Sequence, residues 1–265
     1  MSGAAESDRW KAKPGRNVDL AELDPGSTAG APGKRPETEA ALPSLLEELA
    51  GLQDRLWAEA RRSLLVVLQA MDAGGKDGTI KHVFRGVNPQ GTRVVSFKEP
   101  THLELEHDFL WRVHRAVPRA GEIGIFNRSH YEDVLIARVH ALVAEPVWRA
   151  RYGLINSFES LLDHGGTTVI KLFLHISKDE QRRRFDSRLS EPKKRWKFRP
   201  ADLTEREYWD EYQRAYADAI SKTSTDCAPW YVVPADHKWY RNWVVSTILI
   251  DALRRLDPHY PEPSV

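Results

Sequence analysis

The hydrophobic positions along the chain follow two different patterns. Between residues 42 and 57, leucines and a tryptophan recur every three or four positions, which predicts an amphipathic helix over residues 39–62. Five apolar runs follow, rich in Val, Ile, Leu and Phe without strict alternation, as is typical of strands covered on both faces. These predicted strands are residues 64–69, 93–97, 122–126, 168–176 and 230–233.

The segments between the predicted strands are long enough to form crossover helices. They are residues 77–87, 102–116, 129–142, 147–163, 178–190, 204–222 and 238–256. Such alternation of strands and helices predicts an α/β fold with three layers, α/β/α, and a mainly parallel five-stranded sheet. We assign residues 63–257 to this domain, residues 1–38 to a flexible N-terminal arm, and residues 258–265 to a C-terminal tail.

Composition and charge exclude several classes of protein. A single cysteine, Cys227, excludes a disulfide framework, and the longest apolar runs are too short to cross a bilayer. The first residues have no apolar core behind a basic start, so we expect a cytoplasmic protein. The net charge is only +1, yet residues 178–199 hold ten basic and four acidic side chains, a local charge of +6. This distribution predicts one site that holds an anion.

The loop after the first predicted strand has the composition of a phosphate-binding loop. Residues 69–79 read QAMDAGGKDGT, and ligands of open α/β sheets bind at the carboxyl ends of the strands. Glycines let backbone N–H groups surround a phosphate, to which a lysine and a helix N-terminus add positive potential. Against the pattern G-x-x-x-x-G-K-[ST], Ala70 replaces the first glycine and Asp77 follows the lysine. The predicted phosphate ligands are Ala73, Gly74, Gly75, Lys76, Asp77, Gly78 and Thr79.

Asp72 is unusual in such a loop because a carboxylate repels phosphate unless a cation lies between them. We therefore predict that Asp72 binds Mg²⁺, directly or through water, or orients the accepting phosphate. The alternative is a turn aspartate that accepts hydrogen bonds from nearby backbone amides. For Asp77, a capping or helix-dipole role at the next helix start competes with phosphate binding.

The end of the third predicted strand carries a second group of candidates. Arg128 follows the strand, where its planar guanidinium can bind a phosphate through two charge-assisted hydrogen bonds. Asn127 occupies a position where P-loop enzymes often have a metal-binding aspartate, and its amide can hold a metal-bound water. Tyr131, in the following turn, is also predicted to contact the nucleotide. The alternative for Arg128 is a surface arginine before a helix capped by Ser129.

The basic segment predicts a lid of about residues 184–205 over the phosphate loop. Its candidate ligands for the anion are Arg184, Arg188, Lys194, Arg195 and Lys197. Arg184 and Arg188 are four residues apart and share a helix face. Because positioning and charge neutralisation dominate phosphoryl transfer, many cations suit a donor with many phosphates. The alternative is a solvated basic helix, and for Trp196 core packing competes with stacking on a base.

These motifs together resemble the polyphosphate kinase 2 family, in particular its class III branch, over roughly residues 40–257. The resemblance rests on QAMDAGGKDG at 69–78, VNPQG at 87–91, IFNRSHYEDV at 125–134, KRWK at 194–197, PAD at 200–202 and WYVVPADHK at 230–238. It implies a P-loop kinase-like fold with a helical lid, and a homodimer or homotetramer. It also implies transfer from polyphosphate to nucleoside mono- or diphosphates with Mg²⁺, or Mn²⁺ in its place.

By matching position, the resemblance makes Asp72, Lys76 and Arg128 catalytic and Asp202 an acid of the lid. Asn127 departs from it, because many relatives carry a metal-binding aspartate there. Two other functions compete with this hypothesis. One is an ATP-dependent nucleoside monophosphate kinase, and the other is a non-catalytic module that binds polyanions or nucleic acid through the basic segment. Under the favoured hypothesis we expect neither nucleic acid nor a membrane as a partner.

Overall fold

The computed structural model describes residues 6–198 and 201–263, and only the backbone of Lys197 and Ala201. Five strands form one sheet in the order β2-β3-β1-β4-β5, and every neighbouring pair is parallel. The strands are β1 (Ser63–Ala70), β2 (Thr92–Ser96), β3 (Ile123–Asn127), β4 (Thr167–His175) and β5 (Trp230–Pro234). The predicted α/β fold with a parallel five-stranded sheet is therefore confirmed.

Ten α-helices occur in the described part of the chain. They are α1 (Arg35–Glu59), α2 (Lys76–Val83), α3 (His102–Leu105), α4 (Trp111–His114), α5 (Ile136–Val139), α6 (Glu145–His164), α7 (Lys178–Ser190), α8 (Ala201–Glu205), α9 (Trp209–Thr223) and α10 (Lys238–Leu256). Short 3-10 helices cover Glu6–Trp10, Leu20–Glu22, Pro89–Gly91, His130–Asp133, Pro192–Lys197 and Arg206–Tyr208. None of the helices found within residues 6–198 and 201–263 combines the length and the apolar character that crossing a membrane requires.

Two predicted helices are wrong in length because local side-chain hydrogen bonds interrupt them. In place of a helix over 102–116, α3 ends early and the Asp108 carboxylate accepts a hydrogen bond from the Leu110 amide at 2.9 Å, just before α4. In place of a helix over 129–142, the Ser129 hydroxyl accepts from the Tyr131 amide at 3.2 Å and begins a 3-10 turn. Short polar side chains that bond to nearby backbone groups compete with continuous helix.

β1 lies at the centre of the sheet, and all eight of its residues are buried. Its two neighbours are β3 on one side and β4 on the other. The chain passes to one side of β1 to form β2 and β3, and then crosses to the other side to form β4 and β5. Where strand order changes in this way, the loops at the carboxyl ends separate and leave a crevice for a ligand. The loop after β1 opens into this crevice.

Part of the predicted flexible arm packs against the domain, through residues between Ser7 and Leu20 that are buried. Trp10 is buried and lies edge-on to Trp243, with 5.6 Å between the ring centroids. The Ala12 amide donates to the Trp230 carbonyl at 2.8 Å, next to an isolated antiparallel bridge between Lys11 and Tyr231 at the edge of β5. Leu20 is also buried. A few well-placed apolar side chains thus order a segment whose composition suggests a tail.

Candidate active site

The backbone of the loop between β1 and α2 adopts a tight conformation that glycine permits. Gly75 has φ +101°, and a Cβ at this position would collide with the Arg241 guanidinium. A Cβ at Gly74 would collide with Ala70, and Ala73 holds a left-handed φ of +60° without being glycine. The loop therefore has the curvature predicted for a phosphate cradle, and residues 74 and 75 cannot gain a side chain without displacing their neighbours.

Lys76 lies at the start of α2 with its side chain folded over the loop. Its Nζ donates a hydrogen bond to the Ala70 carbonyl at 3.0 Å. Burial, and then the nearby Arg128, lower the pKa of the Lys76 ammonium from 10.5 to about 8, although Asp72 and Glu132 oppose this shift. An ammonium that has lost part of its solvation gains strongly from an incoming anion. Such partial desolvation of the ammonium is expected of a lysine that binds phosphate.

Arg128 connects the end of β3 to the phosphate loop. Its Nη2 donates to the Asp72 carboxylate at 2.8 Å, and its Nη1 donates to Glu132 at 3.4 Å. These carboxylates, with Glu132 contributing more than Asp72, raise the pKa of the Arg128 guanidinium above its usual value despite burial. Arg128 also has a left-handed φ of +62°, which is uncommon for a side chain of this size. The structure thus brings together two residues, Asp72 and Arg128, that are 56 positions apart in the chain.

Asn127 contacts the first turn of α2. Its Nδ2 donates to the Asp77 carboxylate at 2.9 Å, so this amide and this acid are neighbours at the carboxyl edge of the sheet. Within the residues that the structure describes, no group of three or more acidic, histidine or cysteine side chains is arranged to hold a metal ion. Mg²⁺ typically takes one or two carboxylates and completes its shell with phosphate oxygens and water. Asp72 and Asp77 supply the hard oxygen atoms that fit such an ion.

The side chains of two predicted nucleotide ligands, Tyr131 and Thr79, are buried. Tyr131 is fully buried, and its hydroxyl donates to Glu159 at 2.9 Å and accepts from the Lys171 ammonium at 3.0 Å. The Thr79 hydroxyl donates to the Gly75 carbonyl at 3.1 Å, inside the first turn of α2. The side chains of Tyr131 and Thr79 are therefore occupied by contacts within the protein. Tyr131 belongs to a buried polar cluster behind β3 and not to the ligand site.

The predicted lid residues divide into two groups. Arg184 is buried and bonded to the phosphate loop itself, because its Nη1 donates to the Ala73 carbonyl at 2.9 Å. Arg188 pairs with Asp202 at 3.3 Å, and Lys194 pairs with Glu191 at 2.6 Å. Arg195 donates to the Leu189 carbonyl at 2.9 Å. The side chain of Lys197 lies outside the described residues. Arg184 therefore contacts the phosphate loop, whereas Arg188, Lys194 and Arg195 contact residues of the lid.

Arg241, which was not among the residues predicted from the sequence, reaches the Gly75 end of the loop from α10. Its side chain is buried, and its Nη2 donates to the neighbouring Asn242 amide at 2.8 Å. Burial, and then Arg184, lower the pKa of the Arg241 guanidinium to about 9. Within the described part of the chain, Arg241 makes no ion pair with a carboxylate. The signal in the sequence was the presence of two cations, Lys238 and Arg241, at the start of the last helix.

The cationic group near Gly75 extends beyond Arg184 and Arg241. Burial, followed by Arg184, Lys194 and Arg241, lowers the pKa of the Lys238 ammonium. Burial and then Arg241, Lys81 and Arg85 lower the pKa of His82 on α2. We call the group formed by Lys81, Arg85, Arg184, Lys194, Lys238 and Arg241 the cationic cluster. Arg184 joins this cluster to the phosphate loop, because its Nη1 donates to the Ala73 carbonyl at 2.9 Å.

A small cavity opens at the opposite, Asp72 end of the loop. It is lined by Ala70, Met71, Asp72, Arg128, Glu132, Gln181, Glu205, Tyr212 and Tyr216. Three of these side chains are acidic, in contrast to the cationic cluster at the Gly75 end. The loop therefore separates two environments of opposite charge.

Comparison with known proteins identifies the family of this chain. The sequence profile of the family described as polyphosphate kinase 2 (PPK2) matches residues 33–261. The chain is 54% identical to an AMP/ADP-polyphosphate phosphotransferase of Meiothermus ruber over 255 residues, which cover 96% of each chain. It is 49% identical to an ADP-polyphosphate phosphotransferase of Rhodopseudomonas palustris over 82% of this chain and 79% of that one.

Solved structures give the same result. The crystal structure of polyphosphate kinase 2 from Arthrobacter aurescens superposes with a TM-score of 0.95 at 45% identity, covering 99% of this chain and 93% of that one. A polyphosphate kinase 2 structure from Pseudomonas aeruginosa superposes with a TM-score of 0.83 at 33% identity, covering 90% of this chain and 51% of that one. The chain belongs to the polyphosphate kinase 2 family.

Proposed function

We propose that this protein transfers a phosphoryl group from inorganic polyphosphate to a nucleoside mono- or diphosphate, converting AMP to ADP and ADP to ATP with Mg²⁺. The observation that carries the proposal is the cationic cluster, of which Arg184 and Arg241 lie beside Gly75, and Arg241 makes no ion pair with a carboxylate in the described ranges. A chain of phosphates requires positive charge over a longer distance than a single triphosphate. The names of the two similar phosphotransferases support the same donor.

The two ends of the loop suggest which substrate occupies each side. The donor chain lies along the cationic cluster and ends at the loop, and the acceptor nucleotide enters the cavity at the Asp72 end. An oxygen of the acceptor's terminal phosphate attacks the terminal phosphorus of polyphosphate. The bridging P–O bond breaks, and the shortened chain leaves with the electron pair. No covalent intermediate with the protein is required, because the acceptor oxygen is already a nucleophile.

The residues of the loop perform positioning and charge neutralisation in this reaction. Lys76 and Arg128 stabilise the charge that spreads over the transferring phosphoryl group, and Arg128 also orients the Asp72 carboxylate at 2.8 Å. Asp72 would hold Mg²⁺, with Asp77 and Asn127 as the other oxygen donors at this edge of the sheet, and the ion would further neutralise the charge of the phosphates. Mn²⁺ has the same preference for oxygen ligands and is expected to substitute.

The remaining parts of the proposal concern assembly and location. We propose that the protein forms a homodimer or homotetramer. This assembly is supported by three exposed apolar side chains spaced seven residues apart on α6: Val147, Leu154 and Leu161. Spacing of seven places them on one face of the helix. A cytoplasmic location is supported by the single cysteine.

The test of the proposed function is an assay of the purified protein with polyphosphate, Mg²⁺ and each of AMP, ADP, GMP and GDP. We expect phosphorylated product without any ATP, and no product after chelation of the metal. If AMP is phosphorylated with ATP but not with polyphosphate, the protein is instead an ATP-dependent kinase. Salt-sensitive binding of polyphosphate without turnover would identify a binding module.

Arg241→Met is expected to change stability and activity in opposite directions. Replacing a buried guanidinium that lacks a carboxylate partner with an apolar side chain should raise the free energy of unfolding by roughly 1–2 kcal/mol. The same change should lower kcat/KM for polyphosphate by about 100-fold, because a cation next to Gly75 is lost. Denaturant unfolding and steady-state kinetics measure the two effects.

Arg35→Met, at an exposed arginine of α1, should alter neither the free energy of unfolding nor kcat/KM. A destabilised Arg241→Met protein with normal kinetics would assign Arg241 to the fold alone.

A further inference from the structure

Gln181 is a buried residue of α7 whose side-chain amide makes hydrogen bonds through both its nitrogen and its oxygen. Its relative exposure is 1%. Its Nε2 donates to the backbone carbonyl of Asp72 at 3.0 Å, and its Oε1 accepts from Nη1 of Arg206 at 2.9 Å. One side chain therefore joins the phosphate loop to a residue that follows the lid. A buried amide that is satisfied by two separate elements fixes their relative position.

The contact with Asp72 is one half of a double attachment between α7 and the loop. Gln181 holds the carbonyl of Asp72, and Arg184, one turn later, holds the carbonyl of Ala73 at 2.9 Å. A carbonyl oxygen turned toward α7 cannot face the phosphates, which it would repel. The two side chains thereby maintain the loop conformation in which Ala73 keeps its left-handed φ of +60°. α7 serves as the support of the loop.

The contact with Arg206 ties the return segment of the lid to the same place. Arg206 begins the 3-10 turn after α8, and its Nη1 also donates to the Lys178 carbonyl at 2.7 Å, in the first turn of α7. The chain enters the lid through α7 and leaves it at Arg206. Gln181 lies on the helix through which the chain enters the lid, and it contacts Arg206, where the chain leaves the lid. Its Nε2 also bonds to the Asp72 carbonyl.

We propose that Gln181 is a positioning residue that couples the return segment of the lid to the peptide of Asp72, and so sets the Asp72 carboxylate against Arg128. Gln181 also lines the cavity at the Asp72 end of the loop, where the acceptor is placed. The inference rests on the proposed function, since Asp72 acts in phosphoryl transfer. A displacement of about 1 Å in a reacting geometry can cost on the order of 100-fold in rate, so a support of this kind has a measurable effect.

The first experiment replaces the amide with an apolar side chain of similar length. Gln181→Met removes both hydrogen bonds, and we expect kcat at saturating polyphosphate and nucleotide to fall about 10- to 100-fold. KM for the nucleotide should change little, because the binding groups remain and only their alignment in the transition state is lost. Gln181→Glu, which keeps an acceptor for Arg206 but presents an oxygen to the Asp72 carbonyl, should lose a similar factor.

The matched control is Gln53→Met on α1. Gln53 is also a buried glutamine, and its Oε1 accepts from the backbone amide of Asn88 at 2.9 Å, away from the phosphate loop. We expect this variant to unfold at a lower temperature and to keep the wild-type kcat. If Gln181→Met likewise lowers only the unfolding temperature, the positioning role is wrong and Gln181 is a structural residue.

The second experiment tests the coupling to the lid. Arg206→Met removes the other partner, and the double variant Gln181→Met/Arg206→Met should be no slower than the slower single variant, because both act through one connection. Effects on kcat that multiply would show two independent roles and overturn the coupling. A wild-type protein without polyphosphate-dependent turnover would count against the proposed function. An active wild type with an unchanged Gln181→Met variant would count against this inference alone.

Discussion

Lys76→Ala should lower kcat by about 10³-fold, the size of effect seen when a single cation or donor is removed from the transition state of a phosphoryl or acyl transfer. The fold should remain intact. The Lys76 ammonium donates to one backbone carbonyl, that of Ala70, and burial has already lowered its pKa to about 8. Removing a cation that is partly desolvated in the free protein costs the folded state little.

The measurement is kcat with polyphosphate and AMP or ADP, together with the thermal unfolding temperature. Lys13→Ala, at an exposed lysine of the N-terminal segment, is the matched control and should keep wild-type kinetics. Near-normal turnover of Lys76→Ala would refute the assignment of this loop as the phosphate site. A large loss of turnover with a lowered unfolding temperature would call for Lys76→Met, which keeps the length of the side chain without its charge.

The lowered pKa of Lys76 also has a consequence for the wild-type protein. Below about pH 8 the ammonium carries its charge and attracts phosphate, and above that value the free protein progressively loses the proton. A bound phosphate favours the charged form and raises the pKa again. We therefore expect KM for polyphosphate to rise as the pH increases through about 8. This dependence should be absent from Lys76→Ala.

Asp72→Asn should lower kcat by about 100-fold or more while leaving the fold in place. In the wild type, Arg128 Nη2 donates to the Asp72 carboxylate at 2.8 Å. Asparagine keeps the shape of the side chain, and its Oδ1 can accept the same hydrogen bond. Arg128 also retains Glu132. The substitution therefore removes negative charge and little else. The loss follows if this charge holds Mg²⁺ or orients the acceptor.

Steady-state kinetics at increasing Mg²⁺ distinguishes the two roles of Asp72. If Asp72 holds the ion, the Mg²⁺ concentration required for half-maximal rate should rise in Asp72→Asn; if it orients the acceptor, kcat alone should fall. Asp163→Asn, at an exposed acid of α6, is the control for loss of one charge. Wild-type kcat in Asp72→Asn would show that Asp72 is a turn residue, the alternative that the sequence left open.

Residues whose position depends on local chain geometry lie where the sequence predicted them. A strand, a glycine-rich turn and a helix place Asp72 and Lys76 at the carboxyl end of β1 whatever the rest of the chain does. Arg128 was predicted for the same reason, because it follows the neighbouring strand β3. The same reasoning failed for Tyr131, which lies only three residues further. Whether a side chain near a strand end faces the ligand or the core depends on what packs behind it, here Lys171 and Glu159.

The sequence by itself determined the parallel α/β fold and the position of the glycine-rich loop at the end of β1, because apolar periodicity and glycine placement act over a few neighbouring positions. The tertiary structure alone decided which distant side chains complete the site. Gln181 and Arg241 reach the loop from α7 and α10 only because parallel crossovers return each helix to the same edge of the sheet. It also decided that Trp10 packs on α10, since burying Trp10 requires a surface that exists only after the domain has folded.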